Sequence, residues 1–175
     1  MLPNQKPEMV QNIAVARMLE ASLALFPGEQ YAEVVVILGA LRALSILHQT
    51  HHWQSSGPDF YSDHLLYDRL YNDIVPQIDS TAEKIVGLNK AALVGFEKHV
   101  VTLSAFLKNV KMQGSSDEPA RRSLEAEIMF LGLLEAVMYN LDQTGLLTRG
   151  LEQHLGNIAD KHEEFIYLLK RRVVS

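Results

Sequence analysis

The sequence contains no cysteine, which excludes disulfide bridges, thiolate zinc sites, cysteine-ligated iron–sulfur clusters and a cysteine nucleophile. Proline and glycine are scarce, 6 and 10 in 175 residues, and they gather at a few places. Strands would need turn signals every ~8–12 residues, so the long intervals between breakers favour helices. The longest run without charge or strong polarity, Val34 to Leu41, falls well short of the roughly 20 residues that cross a bilayer. No basic start leads through an apolar stretch to a small-residue cleavage site, so nothing points to secretion by that route. A cytoplasmic protein without a membrane partner is the expectation. Basic charge is also short: 16 Lys and Arg stand against 21 Asp and Glu, a net charge of −5. That balance argues against a surface built to hold nucleic acid.

Hydrophobic residues make up 47% and charged residues 21%, ordinary globular usage with enough apolar material for one domain and its core. Pro27-Gly28, Ser55-Ser56-Gly57-Pro58 and Gly114 to Pro119 divide the chain. Met9, Ile13, Ala16, Leu19 and Leu23 recur at helical spacing, so residues 8–25 read as an amphipathic helix within an N-terminal extension, residues 1–28. Residues 29–175 read as the main domain. Long helices are expected over 29–54, 59–88, 121–141 and 146–172, with a shorter one over 91–111. Asp59 or Ser62 is a plausible N-cap for the second long helix, and Lys170-Arg171-Arg172 suit a helix C-terminus. Four long helices and one long connection predict an all-α bundle with a short helix in the crossover and an extra helix at the N-terminus.

Seven histidines exceed what packing needs. His64 and Asp68 are four residues apart, as are Asp79 and Glu83, so each pair projects from one helix face. At 100° per residue all four fall within an arc of about 100°, two metal-type half-sites on one stripe. Asp68 and Asp79 are about 16 Å apart along the axis at ~1.5 Å per residue. Ligand bonds of only about 2.0–2.2 Å forbid one ion from bridging them. Either other helices complete each half-site, or a second copy running antiparallel across a two-fold axis does so. The second arrangement, which is preferred, makes two identical sites at once. Pro76 lies between the half-sites and removes the backbone bond to Asn72, a loss of about 3 kcal/mol in a helix interior, so a kink is expected there.

His52-Trp53, Gly57, Phe60, His64, Asp68, Asp79 and Glu83 together resemble the signature of the Dps family, the dodecameric miniferritins of the ferritin-like superfamily. The likeness extends more loosely over residues 29–172, including Asp160-Lys161-His162 and Leu168. It implies a ferritin-like four-helix bundle assembled into a hollow dodecamer. It also implies that His52, His64 and Asp68 of one subunit face Asp79 and Glu83 of its two-fold mate. Such a centre is a di-iron ferroxidase site: Fe²⁺ is oxidised, preferably by hydrogen peroxide, and Fe³⁺ is stored as mineral, which limits oxidative damage. Trp53 would lie near the irons; by itself it reads as a core or interface aromatic.

His48 is a packing residue or an outer partner of the site, His51 should point away from His52, and His99, His154 and His162 lack a carboxylate at a telling spacing. No Glu has a His three residues later, which disfavours an intra-bundle centre of the larger ferritin type. Members of the resembled family often bind DNA through lysine-rich tails, but the first 28 residues hold only Lys6 and Arg17. Twelve such chains would carry roughly −60, a surface that repels phosphate. The alternatives are a structural or decoration protein using the metal stripe as a lock, and a DNA-compacting protein without essential turnover.

Overall fold

The computed structural model describes residues 6–113 and 118–174, with side chains over 13–110 and 118–173. Residues 1–5 of the N-terminal extension and most of the Gly114 to Pro119 breaker therefore lie outside the described residues. Within the described residues there are six α-helices and no strand: α1 (Lys6–Leu23), α2 (Ala32–Gln54), α3 (Phe60–Gly87), α4 (Phe96–Gln113), α5 (Pro119–Gln143) and α6 (Arg149–Val174). A 3₁₀ turn, Ala91–Val94, precedes α4.

The central rod is α2. Val34, Val35, Ile37, Leu38, Leu41 and Leu44 are all fully buried, so this helix is apolar on nearly every side. By length and composition α2 could cross a membrane, but 67% of that stretch is buried inside the bundle. Its neighbours are α3, α4 and α5, while α6 packs on α5 and α3. Short connections join α2 to α3 and α5 to α6 as antiparallel hairpins, and the segment carrying α4 spans the distance between the two pairs. Where α4 crosses α2, Gly39 lies against Thr102 so tightly that a Cβ would fall 1.8 Å from the threonine Oγ1.

On α6 the core positions are Leu151, Leu155, Ile158, Phe165 and Leu169, each at most 3% exposed, a 3–4 spacing that turns one face inward. Val15, Met18 and Leu19 of α1 join the same core against α5. The N-terminal helix is thus packed onto the bundle.

Helix boundaries differ from the sequence expectation where the backbone takes unusual conformations. Tyr31 has φ 66°, in the left-handed region, so α2 begins at Ala32 rather than at Glu29. Asp59 does occupy the N-cap of α3, yet its side chain makes no capping bond. Instead its carboxylate pairs with Arg172 at 3.0 Å. The same guanidinium grips Asp63, with Nε donating at 2.6 Å and Nη2 at 3.1 Å, so the last turn of α6 is fastened to the first turn of α3. Pro76 does not interrupt α3, which stays helical from Phe60 to Gly87. The proline sits on an exposed face, where water can satisfy the carbonyl it leaves without a donor.

Candidate metal centre

The last turn of α2 carries His52 and the second turn of α3 carries His64. Gly57 has φ 79°, a conformation glycine adopts without strain, and it turns the chain between the helices. Its carbonyl accepts from Phe60 N–H at 3.1 Å. Ser55 closes α2 by donating from Oγ to the His51 carbonyl at 2.9 Å.

This tight reversal brings the two imidazoles together. The Nδ1–H of His52 donates to the His64 carbonyl at 2.9 Å, and the Nδ1–H of His64 donates to the His52 carbonyl at 3.2 Å. The rings stack with centroids 3.7 Å apart and planes inclined by 25°. Phe60 also stacks on His64, with centroids 5.1 Å apart. A neutral imidazole that donates through Nδ1 keeps its lone pair on Nε2. Both rings are thus fixed in the tautomer that ligates a metal through Nε2, each with a carbonyl partner of the kind that orients ligating histidines.

Asp68 lies one turn further along α3. Its Oδ1 accepts from the Tyr71 hydroxyl at 3.1 Å and from Asn72 Nδ2 at 3.2 Å, which leaves several lone pairs available. The Tyr71 ring meets the edge of His52 at 5.5 Å, linking Asp68 to the histidine pair. Asp79 and Glu83 stand exposed farther along the helix, and among the described residues neither forms a hydrogen bond or ion pair. The structure therefore gathers His52, His64 and Asp68 near one end of α3 and leaves Asp79 and Glu83 apart. Among the described residues, no group of three or more His, Asp or Glu side chains is placed to hold an ion within one chain. Trp53 is 70% exposed beside this site, since the end of α2 extends past the core, so it is not a core aromatic of the single chain.

A second cluster, in the middle of the bundle, went unnoticed in the sequence. Glu127 of α5 is fully buried between His48 of α2 and His162 of α6. Its Oε1 accepts from His48 Nε2 at 2.6 Å and its Oε2 from His162 Nδ1 at 2.5 Å. Burial alone would raise the Glu127 carboxyl, but the facing charge and hydrogen bond of His162, with the bond from His48, hold it well below its ordinary 4.5. His162 Nε2 donates to Gln77 Oε1 of α3 at 3.1 Å. On the other side Ser123 Oγ lies 3.2 Å from His48 Nδ1 and 2.7 Å from His51 Nδ1. Because His48 donates through Nε2, its Nδ1 accepts from the serine hydroxyl, which in turn accepts from His51. Burial, then the neighbouring His48 and Arg122, lowers His51 to about 4.

His48 is accordingly a packed residue, and His51 does point away from His52. His162 has its carboxylate after all, but that partner is 35 residues away on another helix. Periodicity held the missing signal. Ser123 and Glu127 precede Phe130, Leu134, Val137 and Leu141 on one 3–4 stripe, and His162 falls between Ile158 and Phe165 on another. Polar residues at core positions of three helices must find one another.

No family model matches the chain. A relative from Nostoc sp., described as a "Nutrient stress-induced DNA-binding protein", is 26% identical over 134 residues, covering 77% of this chain and 71% of that protein. The crystal structure of a DPS protein from Vibrio cholerae O1, described as a member of a broad superfamily of ferritin-like diiron-carboxylate proteins, matches with a TM-score of 0.64. It is 14% identical and the match covers 93% of this chain and 92% of that one. DpsC from Streptomyces coelicolor matches with a TM-score of 0.63 and 19% identity, over 100% of this chain and 91% of that one. The fold is the all-α, ferritin-like fold of Dps proteins, and the resemblance first carried by eight motif positions extends to the whole bundle.

Proposed function

We propose that this chain is a Dps-like miniferritin that takes up Fe²⁺ at centres shared by two copies, oxidises it and stores ferric iron inside a hollow cytoplasmic shell of twelve subunits, by analogy with the family it resembles. The observation that carries this reading is the reciprocal clasp of His52 and His64, which occupies both Nδ1 atoms and leaves both Nε2 lone pairs unused, with Asp68 one turn of α3 beyond His64. A coordination set that stops there is half a site. Asp79 and Glu83, unpaired on the same helix, supply the other half to a mate running antiparallel.

In this arrangement the neutral imidazoles favour Fe²⁺ and the carboxylates stabilise the Fe³⁺ that forms. Asp68 and Glu83 would be the better candidates to serve both irons, and Asp79 would be a weaker ligand for the second. With hydrogen peroxide as oxidant, each of two Fe²⁺ ions gives one electron, the O–O bond breaks, and two Fe³⁺ and two hydroxide ions result. Trp53, exposed at the edge of the site, would be covered by the mate and lie close to the irons.

The test is oxidation of Fe²⁺ by peroxide, followed through the ultraviolet absorbance of the ferric product. His64→Ala with Asp68→Ala is expected to lower the rate at least about 100-fold while the helical circular dichroism stays close to that of the wild type. Unchanged oxidation would show that these residues do not form the centre. A structural lock, by contrast, would bind metal without turning over.

A further inference from the structure

The buried polar chain in the bundle touches the segments that carry both half-sites. At one end His51, held by Ser123, immediately precedes His52 in the last turn of α2. At the other end Gln77 is two residues from Asp79 and directly follows Pro76. The proline leaves the Asn72 carbonyl without its helical donor, so this turn of α3 has lost part of its internal bracing. Gln77 braces the adjacent position: its Nε2 donates to the Asp73 carbonyl at 3.1 Å, while its Oε1 accepts from His162 Nε2 at 3.1 Å. From His162 the chain passes through both oxygens of Glu127 to His48, then to Ser123 and His51.

We propose that this chain of hydrogen bonds is a positioning device which, on the metal-centre reading above, sets the spacing between the His64/Asp68 and Asp79/Glu83 half-sites. Gln77 is the residue through which it acts on α3. The spacing matters because the two half-sites must meet their counterparts on an antiparallel mate. An error along α3 would displace both shared centres at once, one at each end of the contact. Glu127 contributes a rigid fulcrum, since each of its oxygens is committed to a different helix and no water reaches it.

Gln77→Leu keeps the size of the side chain and leaves the His48–Glu127–His162 clamp in place. Gln77 is only half-buried, so particle mass and helical circular dichroism are expected to match the wild type. Co²⁺ alone, titrated into the full chain, is expected to bind about tenfold more weakly and with a changed visible absorption band. Gln77→Glu restores an acceptor for His162 and is expected to recover affinity to within about threefold of wild type. Should leucine alter the particle mass, Gln77→Met makes the same comparison. Wild-type affinity and spectrum in the apolar variant, or no recovery with glutamate, would overturn the positioning role. The double variant His64→Ala with Asp68→Ala separates the two ideas. If it also leaves Co²⁺ binding intact, the metal centre itself is misassigned; if it abolishes binding while Gln77→Leu does not, only the positioning role fails.

Discussion

His52 and His64 each donate an Nδ1–H to the other's backbone carbonyl, at 2.9 and 3.2 Å, so neither ring can turn without losing its own bond across the turn. The pair depends on the reversal at Gly57. Gly57→Ala forces a side chain into φ 79°, at a cost of about 1–2 kcal/mol. For a chain of this size the expected fall in Tm is about 2–8 °C, measurable by circular dichroism. Fe²⁺ affinity should weaken with it. A variant with unchanged Tm and affinity would mean that the turn is relaxed and the clasp independent of it.

Gly39 reports on a different contact. A methyl group there would meet Thr102 Oγ1 at 1.8 Å and the Leu103 backbone nitrogen at 2.9 Å. Gly39→Ala must push α4 away from α2, with an expected loss of about 1–3 kcal/mol in urea unfolding. Pairing it with Thr102→Ala removes the worst overlap, and about half of the loss should return.

Acid should begin to weaken the fold below pH 6.5. His51 is 2% exposed and its value falls from 6.5 to about 4, so folding favours its neutral form. His99 and His154 are lowered as well, in each case chiefly by burial. The sign follows directly: stability from a lowered histidine is complete above pH 6.5 and drains away as pH falls towards 4. For His51 alone the loss is about 3 kcal/mol. Glu127, whose carboxyl is depressed, contributes above its ordinary 4.5 and loses that contribution only at lower pH. Urea midpoints measured from pH 7 to 4 should therefore fall steadily, and His51→Gln should flatten the slope. A flat wild-type profile would contradict the assignment.

The charge balance makes a prediction about nucleic acid. The Nostoc relative is described as DNA-binding, yet this chain carries −5. Counterion release needs basic contacts, so gel retardation at low salt should show no shifted band. A shift that vanishes with moderate salt would instead reveal a local basic surface masked by the overall charge.

The sequence made the two half-sites legible because each lies within a single helix, where spacing alone decides which side chains share a face. His52 joined the site only through the family resemblance, and it is the five-residue connection with Gly57 that brings it beside His64. Fold class followed from the scarcity of breakers, which left four long helical segments and one long connection. What could not be read were contacts between distant segments. Gln77, Glu127 and His162 are brought together by packing of three helices, and Glu127 and His48 are 79 residues apart. Pro76 is a different case. Its local penalty is real, but an exposed position within a helix held by its neighbours absorbs it without a break.

The grip of Arg172 on Asp63 bridges 109 residues of sequence. During synthesis, the start of α3 emerges from the ribosome long before the arginine that fastens it. His64, the residue directly after Asp63, thus gains its final anchor only after the ribosome has translated codon 172, so the start of α3 is made firm only once α6 has been synthesised.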